Sequence, residues 1–226
     1  MRKSFLFILL ITLLATSAFG EVGVINDPDG YTNVRKEKST SSPIVSKIFK
    51  GEIFSYQPVK GDKWYSVIVK GQSGYVHSSR IVNVLSLPNA REVLLEIFRK
   101  ENQLLQLQTE RTKNEHSDFF ENVYCAALES AGDFIAKNQD DELFKLMIEN
   151  KLLDKGNASE APSFALGYVF IANPQWASGI LKAYRDKDLL GFLDWGIQCS
   201  ESQFSKDKGL KAKQAFSLLE NTFRGD

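Results

Sequence analysis

From Glu21 to about Val84 the chain is a run of short extended stretches, each cut off by turn-forming residues. Val22-Gly23-Val24-Ile25 leads into Asn26-Asp27-Pro28-Asp29-Gly30, a dense cluster of turn formers, and Tyr31-Thr32-Asn33-Val34-Arg35 resumes extended character. A polar connector, Ser39 to Pro43, precedes Ile44-Val45-Ser46-Lys47-Ile48. Lys50-Gly51-Glu52 turns the chain into Ile53-Phe54-Ser55-Tyr56, and Lys60-Gly61-Asp62 turns it into Lys63 to Val69. Lys70-Gly71-Gln72 then reads as a tight hairpin connection before Gly74-Tyr75-Val76. Strands this short cannot cross a large sheet. Their regular punctuation predicts a small antiparallel barrel or sandwich. Period-two alternation puts Tyr65, Val67 and Val69 on the core face and Trp64, Ser66 and Ile68 on the other.

The pattern changes at Ser86-Leu87-Pro88-Asn89, where a domain junction is expected. Beyond it, apolar residues recur at helical spacing: Val93, Leu94, Ile97, Phe98, Leu104 and Leu105 first. Gln106 to Asp118 is polar and reads as a turn or flexible segment. A second helix is expected over Phe119 to Lys137 and a third from Asp140 or Asp141 to Leu153. Pro162 opens a fourth ending at Asn173, Asn173-Pro174 opens a fifth, and Asp186 or Asp188 caps a sixth through Cys199. A last helix runs from Ser205 or Lys206 to Phe223. Short connectors between such helices predict a bundle or a stack of helical hairpins. No fixed period supports a regular solenoid.

Several of the strand-region motifs occur in a familiar order. Asn33-Val34-Arg35, Ser39 to Val45, Lys50-Gly51-Glu52, Trp64-Tyr65-Ser66-Val67 and Gly74-Tyr75-Val76-His77-Ser78-Ser79 together resemble the bacterial SH3-like domain of cell-envelope proteins. One departure is Lys36-Glu37-Lys38, where that family usually has a small residue, glycine and proline. The resemblance implies an all-β small SH3-like barrel (21–85), and the helical spacing beyond it gives an all-α helical bundle domain (86–226) that the resemblance does not cover. It also implies a module that targets or regulates envelope enzymes, often through peptidoglycan or its peptides. The residues themselves offer an aromatic contact surface, with Tyr31, Trp64 and Tyr75 beside Asp27, Asp29 and Asn33. Flat rings with a polar rim suit peptide or sugar recognition. The other reading has Trp64 and Tyr75 capping the barrel end against the helices. Arg35 and His77 are read as structural, Arg35 tying down a loop or stacking on a ring.

Residues 1–20 have the form of a secretory signal peptide. Arg2-Lys3 precedes an apolar run from Phe5 to Leu14, and Ser17-Ala18-Phe19-Gly20 supplies small residues for cleavage after Gly20. The expected mature protein is exported, periplasmic or secreted, with no stable membrane span. The full chain's 28 basic and 28 acidic residues in 226 give no global signal for nucleic acid. The two cysteines, Cys125 and Cys199, are compatible with one disulfide in an oxidising compartment. Closing that loop would stabilise the fold by about 4 kcal/mol.

Signs of chemistry are few. The cysteine peptidase domain that commonly accompanies this family needs histidine after cysteine, yet His77 and His116 both precede Cys125. Two separated histidines carry no metal-ligand spacing signature, so neither metal nor cofactor is expected. Asp140-Asp141-Glu142 reads as a charge cluster at a helix start. The expected function is that of an exported, non-enzymatic binding protein whose partner is peptidoglycan or an envelope protein, with the helices as a second interaction surface. Two alternatives stay open: an inhibitor or immunity-type protein that blocks an envelope-directed enzyme, and a carboxylate-based hydrolase.

Overall fold

The computed structural model describes residues 20–107, 109–155 and 159–224. The expected signal segment therefore lies outside the described residues apart from Gly20. The chain is β then α, as the switch in periodicity predicts. Seven strands come first: β1 (Glu21–Ile25), β2 (Tyr31–Arg35), β3 (Ile44–Phe49), β4 (Phe54–Gln57), β5 (Trp64–Val69), β6 (Gln72–His77) and β7 (Ile81–Asn83). They form one antiparallel sheet in the order β3-β2-β6-β5-β4-β1-β7.

The sheet curls around its own core. Ile48 from one edge strand and Ile25 beside the other edge belong to a single buried cluster with Val34, Phe54, Tyr56, Val67, Val69 and Val76. Each large apolar side chain buried there stabilises by about 1.5–3 kcal/mol. Two glycines fix the path. At the β5–β6 hairpin Lys70 and Gly71 both have positive φ (53° and 71°), and Val69 pairs with Gln72. Such a turn matches the twist of the flanking strands. In β6, a Cβ on Gly74 would stand 2.5 Å from Val34 Cγ1 and 2.8 Å from the Arg35 carbonyl oxygen. Only glycine lets β2 and β6 approach this closely.

The helices follow: α1 (Ala90–Leu107), α2 (Glu110–Phe119), α3 (Cys125–Asn138), α4 (Asp141–Leu153), α5 (Ala161–Ala172), α6 (Pro174–Leu181), α7 (Lys187–Ser200) and α8 (Lys206–Arg224). Asp140 and Asp186 cap α4 and α7 through their carboxylates, satisfying backbone N–H groups at those helix starts. One expectation about the helices fails. The polar stretch from Gln106 is not a loop, because Thr109 and Thr112 form a reciprocal capping box that starts α2. A wide π turn over Phe120–Tyr124 joins α2 to α3. Polarity there marks a solvated helix face, which a search for apolar periodicity cannot see.

The barrel rests on the helices through β1. Val22 is fully buried in the helical core together with Val84, and Val24, Ile53 and Leu85 pack against it. Strand β1 contacts α3, and the turn at Val84–Ser86 contacts α1. Strand β1 thus serves both cores, Val22 facing the helices and Ile25 the barrel. Within the helical half α5 and α7 make the most extensive contact, crossing at Gly167 and Gly196. A Cβ on either glycine would overlap the facing helix backbone.

The expected Cys125–Cys199 disulfide is not formed, and both cysteines are free. Their helices, α3 and α7, each pack on α5. Cys125 is hydrogen-bonded with the Ser159 side chain, whereas Cys199 lies near Glu160. Burial pushes the Cys125 thiol up to about 11, and burial followed by Glu160 raises that of Cys199. Both are therefore protonated, unreactive thiols at neutral pH. Among the described residues no helix is long and apolar enough to cross a membrane.

Candidate binding face of the barrel

Period-two alternation sends one side of β5 and β6 into the core and leaves the other toward solvent. Val67 and Val69 are buried, Tyr65 packs beside them, and Ile68 is 42% exposed on the opposite face. Trp64 and Tyr75 are half-buried on that outer face. Neither is among the side chains packed on the helical core, so they do not cap the barrel against the helices. Trp64 pairs with His77 across the ladder, and the two rings meet edge to face at 5.3 Å. His77 Nδ1 in turn lies 2.8 Å from Ser79 Oγ.

A salt bridge closes one side of this face. The Lys38 ammonium donates to Asp62 and also sits 5.5 Å from the centre of the Tyr75 ring. Asp62 Oδ1 accepts from the Trp64 backbone N–H at 3.0 Å. The hydrogen bond to Lys38, followed by that from Trp64, holds the Asp62 carboxyl below its ordinary value, and the Asp62 bond raises Lys38. Both charges are solvent-screened, so the bridge orients the loop more than it stabilises the fold. The β2–β3 loop carrying Lys38 is pinned at its neck. Lys36 N–H donates to the Pro43 carbonyl at 2.9 Å, Glu37 N–H to Ser42 Oγ at 2.9 Å, and Arg35 Nη1 to the Ser42 carbonyl at 2.7 Å. The unusual Lys36-Glu37-Lys38 thus closes onto buried Ser42, and Arg35 has its expected structural role.

The remaining residues divide differently. Tyr31 forms a second aromatic patch with Phe49, their rings 6.3 Å apart, and Lys47 Nζ stands 4.1 Å over the Tyr31 ring. Phe49 is 48% exposed. The two patches lie at opposite ends of β2, since it is Arg35 that pairs with Tyr75 of β6 and Tyr31 that pairs with Phe49 of β3. Asn33 is no open rim group, since its Oδ1 is buried without a hydrogen-bond partner. Asp27 is engaged structurally, accepting from Asp29 N–H at 3.2 Å and pairing with Arg80 at 3.5 Å. Asp29 itself is exposed. The face therefore contains Trp64 and Tyr75, with Tyr31 in a second patch at the far end of β2, while Asp27 is held by Arg80 and Asn33 is turned inward. Lys38, Asp62, Lys47 and Phe49 were missed. The departure at Lys36-Glu37-Lys38 was the one available signal for Lys38, and the strand alternation that exposes Ile68 also exposes Phe49.

This arrangement can stack a flat or extended ligand on rings while cations beside them contact acceptor groups. A separate polar cluster lies in the helical half, where Glu101, His116 and Asp154 bring potential metal-ligating atoms together. Sequence spacing could not show it, because Glu101 and His116 meet only through the packing of α1 on α2.

Residues 30–82 match the family model described as Bacterial SH3 domain. No curated protein and no solved structure matches the chain. The matched segment is a bacterial SH3 domain, a family of binding modules often directed to cell-wall material. It spans β2 through β6 and ends within β7, so it contains the whole aromatic face.

Proposed function

We propose that the protein is an exported, non-enzymatic binding protein whose barrel recognises a cell-wall peptide, a glycan or an envelope protein. One observation carries this reading: Trp64 and Tyr75 lie on the outer face, clear of the helical core, with the Lys38–Asp62 bridge beside them. Aromatic groups held rigidly at a surface contribute contact area at small entropic cost. An ion pair at the flank suits a ligand bearing both acceptor and donor groups, as peptide stems and protein segments do. The helical domain, joined to the barrel through Val22 and Val84, serves as a second interaction surface and as a rigid mount.

The test is retention on purified peptidoglycan by the mature chain, compared with the Trp64→Ala, Tyr75→Ala double variant. Loss of these two rings should weaken binding by roughly tenfold or more, as expected of central aromatic contacts. Equal retention of both proteins would remove the aromatic face from the account. A stoichiometric protein partner co-purifying in the absence of peptidoglycan affinity would instead select the protein-binding form.

A further inference from the structure

The helical half buries a carboxylate that lacks a complete set of partners. Glu101 on α1 is 1% exposed, and its Oε1 lies 2.8 Å from Nε2 of His116 on α2. Its other oxygen, Oε2, is buried with no hydrogen-bond partner. A buried acceptor left unmet is unfavourable, and more so when it belongs to a carboxylate. Asp154, at the end of α4, completes the group. Glu101, His116 and Asp154 each offer one ligand atom, and these atoms all lie within 4.8 Å of one another.

The surroundings hold this group in place. Asn150 donates from Nδ2 to the Phe98 carbonyl and to Tyr124 Oη, both at 3.0 Å, and Asn102 donates to Asn150 Oδ1 at 2.8 Å. That network locks α1, α4 and the π turn together one helical turn before Asp154. The π turn follows His116 by one turn, and such wide turns occur often at functional sites. Lys151 also acts on Asp154 electrostatically, but its Nζ is seated 4.2 Å from the Phe192 ring centre.

We infer that Glu101, His116 and Asp154 bind a first-row divalent transition-metal ion, of which zinc is the representative, and that the ion clamps α1, α2 and the end of α4. The charges agree, since two carboxylates and a neutral imidazole balance a divalent cation. Ligand atoms around tetrahedral zinc stand about 3.4 Å apart, a spacing that falls inside the 4.8 Å bound on this group. An imidazole with two carboxylates favours zinc and its neighbours over calcium or magnesium, which demand six or more oxygen ligands or retained waters. Bound metal would give Glu101 Oε2 its missing partner. Three protein ligands leave a fourth position for water or a substrate group.

The experiment uses the mature chain stripped with a chelator and titrated with zinc chloride, followed by calorimetry and by thermal unfolding. Wild type should take up about one equivalent, with Tm raised by about 5 °C or more at a hundredfold excess over Kd. Glu101→Gln, His116→Ala and Asp154→Asn should each lose at least tenfold in affinity. Circular dichroism checks folding, and should Glu101→Gln fail to fold, the two less buried positions decide. Absence of zinc uptake by wild type overturns the proposal. So does wild-type affinity in the folded variants, which marks adventitious surface binding, and so does equal competition by magnesium or calcium.

Discussion

The barrel and the helical bundle solve the same problem of burial in opposite ways. In the barrel the buried polar residues are the small hydroxyls Thr32 and Ser42, and the Tyr56 hydroxyl of the core cluster donates to Glu21 at the rim. Charged groups are sent outward by alternation, where they frame the candidate face. The helical half instead buries Glu101, Asn150, Lys151, Ser163, Ser178 and Ser200. Some of these are satisfied: Ser200 Oγ donates to the Phe164 carbonyl at 3.1 Å, and Asn150 joins α1 to the π turn. Others are not, notably Glu101 Oε2. The contrast teaches that the outer surface of the barrel and the interior of the bundle are where function is to be sought.

The two halves also differ in how backbone meets backbone, and glycine substitution tests this most sharply. At the α5–α7 crossing, Gly196→Ala drives a methyl into the Ser163 carbonyl, and neither helix can yield without moving the other. A loss of about 3 kcal/mol or more is expected in urea unfolding, at the upper end for overpacking. In the barrel, Gly74→Ala meets the Val34 side chain as well as the Arg35 carbonyl, and the former can shift. About 2 kcal/mol is expected there. Equal losses at the two sites would show that the bundle is no more tightly constrained than the sheet.

The smallest effect concerns pH. Burial pushes the Glu129 carboxyl on α3 up to about 7 from an ordinary 4.5. The folded state then keeps a proton that the unfolded chain releases between those values. Stability from this group is complete below about 4.5, falls as pH rises toward 7, and is flat above. Glu129→Gln should match wild type at pH 4 and exceed it at pH 8 by on the order of 1 kcal/mol, after allowance for solvent screening. Glu101, pushed up to about 7 chiefly by burial, slopes the same way and is retained in the variant, so the slope shrinks rather than vanishes. An unchanged slope would show that Glu129 ionises in the fold as freely as in the unfolded chain.

Much of the architecture is local and was therefore legible. The hairpin at Lys70-Gly71, the caps at Asp140 and Asp186, and the Pro174 helix start are each set by a few adjacent residues. Two elements escaped: the three-residue strand β7, and α2, whose apolar contacts are sparse and whose start depends on the Thr109–Thr112 pair. The candidate face was half legible. Alternation brought Trp64 outward, but nothing in the sequence could show that Asp27 is bound to Arg80 or that Lys38 reaches across to Asp62.

The sequence by itself determined a barrel of short strands, a junction near Pro88 and a helical remainder, because turn chemistry and hydrophobic period act within a few residues. It also determined the bacterial SH3 character of residues 30–82, through motifs carried in order along one segment. The tertiary structure decided which groups meet. It left Cys125 and Cys199 on separate helices packed on α5, unbonded, and brought Glu101, His116 and Asp154 from three helices to one point. Such meetings depend on helix packing angles and on where a π turn shifts the register, and no spacing along the chain encodes them.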